Sequence, residues 1–63
     1  MSTKIIKSKN FFHNNLTLQL IFDSDFNLFY IEIYRHNENK SYNLHGCFVL
    51  ENDAITKFNQ IQL

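Results

Sequence analysis

LTLQLIFDSDFNLFYIEIYRH, residues 16–36, is the stretch on which the fold turns. Leu16, Leu18, Leu20 and Phe22 alternate with Thr17, Gln19 and Ile21, the two-residue period of a half-buried strand. Past the polar DSDFN segment, Phe29, Ile31 and Ile33 alternate with Tyr30, Glu32 and Tyr34. A four-residue loop at residues 24–27 sets Phe22 opposite Phe29, Leu20 opposite Ile31 and Leu18 opposite Ile33, so both apolar sets share one face. A loop one residue longer mixes the faces, because a slip of one turns every side chain over.

DSDFN, residues 23–27, carries oxygen ligands at alternate positions, like the start of a calcium loop. A loop of the helix-loop-helix type needs glycine at its sixth position and a bidentate glutamate at its twelfth. Counted from Asp23, those positions hold Leu28 and Tyr34, and the flanks read as strands. Asp and Asn satisfy their own backbone in turns, and DSDFN is read as one.

Working outward, Tyr42, Leu44, Phe48 and Leu50 share parity in a third strand that contains Gly46. A second four-residue loop at residues 37–40 places Ile33 opposite Leu44, Ile31 opposite Gly46 and Phe29 opposite Phe48. The expected sheet is therefore a three-stranded antiparallel β-meander. Residues 1–15 are a basic N-terminal arm or an extra edge strand, with KII at residues 4–6 as its candidate core; residues 16–63 form a single small β-rich domain. In the last segment Asn52 or Asp53 can cap a helix, after which Ala54, Ile55, Phe58 and Ile61 recur on one helical face. The alternative there is a fourth strand. The helix gives an α+β fold with a short C-terminal helix on one sheet face.

A chain of 63 residues makes one domain with a marginal core. One cysteine, Cys47, forms no internal disulfide, and no pair of cysteines or histidines has zinc spacing, so oligomerisation or a partner is the expected supplement. The single cysteine fits a reducing, cytoplasmic setting. MSTKIIKSKN is basic but no apolar run of signal-peptide or membrane length follows it. Six basic and six acidic side chains cancel, which speaks against a strongly cationic nucleic-acid binder and against a polyanionic mimic. The charge is uneven, since Lys4, Lys7 and Lys9 all precede the first acid, Asp23.

Candidate chemistry is thin. His45 and Cys47 lie two apart on one strand, and the register above puts Glu32 across from His45. Such a trio resembles a nucleophile with an oriented base. Side chains two apart on a strand project in parallel, however, and no glycine-rich turn offers an oxyanion hole. A cross-strand Glu–His pair beside a packed thiol accounts for the same residues. His13 and His36 read as loop histidines. The expectation is a protein that is not an enzyme and uses no metal or cofactor.

The sheet face opposite the core is more informative. It carries Thr17, Gln19, Ile21, Tyr30, Glu32, Tyr34, Asn43, His45, Cys47 and Val49. Tyrosine combines a large apolar ring with a polar tip and is enriched in interfaces. Ile21, Tyr30, Tyr34, Cys47 and Val49 are the candidate contact surface for another protein. Unpaired edges at residues 16–22 and 42–50 carry no proline, which leads to the expectation of an edge-paired homodimer.

From Leu16 onward, and most closely in GCFVLENDAITKF at residues 46–58, the layout resembles the PC4-type single-strand DNA-binding domain. That family has a curved β-meander followed by a helix, and it dimerises. The resemblance carries over no site; the residues themselves offer an alternative nucleic-acid reading, with bases stacked on Tyr30 and Tyr34 and with Lys4, Lys7, Lys9 and Arg35 on the phosphates. The layout departs from the family in its strands, which carry Arg35 as their one fixed positive charge. The reading from the residues is a small non-enzymatic interaction module, an inhibitor, adaptor or regulator of the size phages often encode. It would act through its tyrosine-bearing face or a sheet edge, and single-strand nucleic-acid binding is the alternative.

Overall fold

A computed structural model describes residues 2–62. It contains β1 (Thr3–Phe11), a 3-10 turn (Phe12–Asn14), β2 (Leu16–Asp23), β3 (Leu28–Arg35), β4 (Lys40–Phe48) and α1 (Glu51–Gln60). The strands form one antiparallel sheet in the order β1-β2-β3-β4. Residues 3–11 are thus a full strand, and the expected three-stranded meander has four. The coarse α+β reading holds. The edge expected at residues 16–22 does not exist, because β1 pairs along the whole of β2.

The central hairpin has the expected register, with Phe22 against Phe29, Leu20 against Ile31 and Leu18 against Ile33. The DSDFN turn closes it, and Asp23 Oδ1 accepts the Asp25 N–H at 2.9 Å, an aspartate bonding its own backbone two residues on. The β3–β4 hairpin corrects the expected pairing. Its loop is residues 36–39, and Ile33 opposes Tyr42 while Ile31 opposes Leu44. Only Tyr30–Cys47 and Phe29–Phe48 keep the expected register. His45 and Gly46 fall out of the ladder between these two runs, with φ of 64° and 72°. Two residues leave the ladder together, so the even-numbered residues of β4 stay on the core face throughout.

The three hairpin loops share one chemistry. Each ends on an asparagine with left-handed backbone, Asn15 at φ 55°, Asn27 at 56° and Asn39 at 54°. Asparagine adopts this region more readily than other side-chain-bearing residues, and four-residue loops built on a turn commonly end there.

On the core face lie Leu18, Leu20, Ile31 and Ile33, and α1 covers them with Ala54 and Phe58. The helix forms because its apolar positions recur at helical spacing and dock, since ten residues are too few to persist alone. Leu50, not Asn52 or Asp53, is the N-cap, and its carbonyl accepts the Ala54 N–H at 3.2 Å. Leu50 and Val49 therefore lie in a bend beyond β4. Glu51 and Asp53 in the first turn and Lys57 in the last complement the helix dipole. No helix among the described residues is long and apolar enough to cross a membrane.

Candidate interaction face

Strand alternation and register assemble the face that α1 leaves bare. Ile5 pairs with Ile21, Ile21 with Tyr30, and Tyr30 with Cys47, giving one apolar row across all four strands. Strands stand about 4.8 Å apart, so the row is about 14 Å long. Ile21 at its centre is only 8% exposed, whereas Ile5 at its β1 end is 55% exposed. Cys47 at the other end is an exposed free thiol. A polar row of Ser8, Gln19, Glu32 and Asn43 lies on one side of it; on the other are Thr3, the buried Asp23 and the apolar Leu28.

Tyr30 titrates above the ordinary tyrosine range. Partial burial of its hydroxyl is the largest cause, followed by the negative charges of Glu32, Asp23 and Cys47. The acids on this side of the sheet are the part-exposed Glu32 and the buried Asp23. No lysine or arginine shares it. Lys4, Lys7 and Lys9 pair with Phe22, Leu20 and Leu18, and Arg35 with Leu16, so all four belong to the core side of the sheet.

The reason lies in a bulge. The β1–β2 register shifts between Ile5 and Lys7, leaving Ile6 as the extra residue. Ile6 packs on the core cluster, and the shift returns Lys7 and Lys9 to the side already occupied by Lys4. Lys7 Nζ lies 5.9 Å from the Phe58 ring centroid and Lys9 Nζ 5.5 Å from that of Phe11. Lysine stems cover the rim of the helix–sheet core in this way while their ammonium groups stay in water.

The five expected interface residues therefore separate. Ile21, Tyr30 and Cys47 lie in the row. Tyr34 stands two same-face positions further along β3, opposite Thr17, its hydroxyl donating to Asn39 Oδ1 and its ring meeting the edge of His36. Val49 is 72% exposed but lies past the strand. Ile5 belongs to the row and escaped the sequence reading. The adjacent Ile5–Ile6 pair breaks the two-residue period, and only a bulge restores it.

The expected cross-strand Glu32–His45 pair does not form, and with it goes any Cys–His–Glu trio, since Glu32 opposes Asn43 and His45 sits in the β4 bulge. His36 is better anchored than a loop histidine need be. Its Nε2 lies 2.7 Å from Thr17 Oγ1, which donates to Asn10 Oδ1 at 2.9 Å. Its backbone N–H donates to the Asn15 carbonyl at 3.0 Å. These contacts line an open cleft of about 310 Å³ with Phe11, Phe12 and Leu16. They tie the β1–β2 turn to the β3–β4 turn.

Comparison with known protein families, with characterised proteins and with solved structures finds no match to this chain.

Proposed function

We propose that this protein is a non-enzymatic interaction module that binds another protein through the outer sheet face. The observation that carries this reading is the row Ile5–Ile21–Tyr30–Cys47, an apolar stripe spanning the whole sheet on the side without a helix. A sheet buries one face in its core and can leave the other in water, but a contiguous apolar stripe with an aromatic at its middle is the composition of a contact surface. The polar row Ser8–Gln19–Glu32–Asn43 beside it matches the usual rim of an interface.

Nucleic-acid binding draws less support. That reading needs stacking rings and cations along one track, and here Tyr30 and Tyr34 face one way while Lys4, Lys7, Lys9 and Arg35 face the other. Edge-paired dimerisation also draws less support. The free edge of β1 carries three lysines and a bulge, and that of β4 carries the His45–Gly46 bulge, the devices that blunt strand edges.

The test is affinity capture of the tagged protein from its native lysate, with and without nuclease, run in parallel with Ile5→Asp. Ile5 is exposed, so this variant keeps the fold. A protein that survives nuclease and is lost with Ile5→Asp supports the reading. A retained fraction that vanishes with nuclease, or capture indifferent to Ile5→Asp, overturns it.

A further inference from the structure

We infer that this protein self-associates head to tail, the apolar and acidic end of one copy seating on the aromatic and basic end of the next. The contact uses neither face of the sheet and stands apart from the outer-face reading.

Topology sorts the connections into two ends. The start of β1, the β2–β3 turn and the bend leading into α1 lie together, as Thr3 against Asp23 and Phe29 against Phe48 require. The Ser24 N–H donates to the Ser2 carbonyl there at 3.0 Å. The β1–β2 and β3–β4 turns lie at the other end, fixed by Phe11 against Leu16 and Arg35 against Lys40. A nine-residue strand spans about 30 Å, which matches the longest of the dimensions 32 × 25 × 16 Å.

Charge divides between these ends. Among the described residues, the first end exposes Glu51, Asp53 and Asp25, the last with its carboxylate accepting the Ser2 N–H at 3.1 Å. One lysine, Lys4, stands beside them, and the N-terminus of α1 offsets about half a charge more. The second end holds Lys9, Arg35 and Lys40 against one acid, Glu38, which lies 3.7 Å from Arg35. The chain's zero net charge is thus a balance between two ends of opposite sign. Asp23 is buried and Glu32 lies in the middle of β3, so neither contributes.

Both ends also expose large apolar side chains. Phe26, Val49 and Leu50 are 61–72% exposed at the acidic end, and Phe12 and Tyr42 are 81% and 41% exposed at the basic end. A complement to the acidic end must bring apolar surface and cations together, and the basic end of a second copy does so. Two like ends would set charges of one sign against each other, so the contact is heterologous, and unless its rotation closes a ring it builds an open chain. Zero net charge removes the repulsion that keeps soluble proteins apart. The end is small, with a cross-section of about 400 Å² where a standard interface buries about 800 Å² per partner, so the association is weak and reversible.

The test is sedimentation velocity over a concentration series reaching about 1 mM, the range in which so small a contact is populated. It is run at about 0.01 M and about 1 M salt, where charges are screened beyond about 30 Å and about 3 Å. The expected result is growth past a dimer at low salt, with an apparent affinity about tenfold weaker at high salt. Val49→Lys blocks the acidic end and Phe12→Glu the basic end, both at exposed positions, and circular dichroism checks each fold. Each variant alone should be monomeric. Their equimolar mixture should form a dimer and nothing larger, because one intact end of each kind remains between them. Should Val49→Lys fail to fold, Glu51→Gln with Asp53→Asn discharges the same end. A monomer at every concentration, association indifferent to salt, or association lost with one variant and kept with the other overturns the inference. So does a mixture that stays monomeric.

Discussion

The Asn43 side chain clasps Gly46 from both sides, its Oδ1 accepting the Gly46 N–H at 3.1 Å and its Nδ2 donating to the Gly46 carbonyl at 3.4 Å. These contacts supply backbone partners to a segment that has left the β3–β4 ladder. Without them an N–H and a carbonyl at this edge would turn to water, a modest loss where the residue is exposed.

The bulge yields the first prediction. Deleting His45 and Gly46 together preserves the parity of β4 and rejoins its two runs in one register, so the variant folds. Deleting Gly46 alone turns Cys47 inward and Phe48 outward, and that variant loses its cooperative urea transition. Gly46→Ala falls between them. Nothing lies within 4 Å of an added Cβ at φ 72°, so its cost is backbone strain of about 1–2 kcal/mol.

The loop asparagines give the second. Asn15, Asn27 and Asn39 stand twelve residues apart, each closing a four-residue loop. Replacing Asn27 with glycine leaves stability within about 0.5 kcal/mol, since glycine enters the left-handed region without penalty. Replacing it with valine costs about 1–2 kcal/mol. Urea midpoints of the two variants check the contrast, and equal midpoints would count against the loop geometry.

That spacing also explains how much of the fold was legible. An eight-residue strand and a four-residue loop make a twelve-residue unit, and β2 and β3 each fill one. On either side of the DSDFN turn, over residues 16–22 and 29–34, no bulge disturbs the alternation, and the register there was readable to the residue. Both strands whose reading is incomplete contain a bulge. At Ile5–Ile6 it breaks the alternation, so residues 1–15 read as either an arm or an edge strand and Ile5 was missed. At His45–Gly46 it conserves the alternation while hiding two residues, so the faces of β4 came out right and the pairing partners of its residues 40–44 wrong. Asn15 and Asn39, at matching distance from Asn27, were the available signal for both strands. The candidate site was legible where it sits on β2, β3 and the end of β4, and illegible where it depends on the β1 bulge.

A third prediction concerns alkaline titration. Tyr42 is held above the ordinary tyrosine range, chiefly because its hydroxyl donates to Glu38 Oε1 at 2.5 Å. Tyr30 is also raised, by burial first and then by the charges around it. A raised folded value favours the protonated form, so the stabilisation is complete below about pH 10 and is lost as pH rises through the folded values. Absorbance titration should show Tyr30 and Tyr42 ionising late. Glu38→Gln should bring Tyr42 back towards the ordinary range and leave Tyr30 where it is; movement of both, or of neither, would refute the assignment.

The last prediction concerns the cover of the core. Phe58 is 3% exposed and, with Ala54, is the fully buried contribution of α1 to the cluster of Leu18, Leu20, Ile31 and Ile33. Phe58→Ala removes a buried ring at a cost of about 3–5 kcal/mol. A domain of this length has a total stability of only about 3–9 kcal/mol. The substitution should therefore consume most of that margin and release α1, which is too short to persist undocked. Phe58→Leu retains most of the volume and should cost less than about 1.5 kcal/mol. Lys7 adds a smaller share, since its ammonium lies over the same ring, and Lys7→Ala should cost about 0.5–1 kcal/mol in the wild type. In a Phe58→Leu background that cation–ring contribution is already gone, so the same lysine substitution should cost less. Urea denaturation of the four proteins closes a double-mutant cycle, and strict additivity would show that Lys7 and Phe58 do not interact.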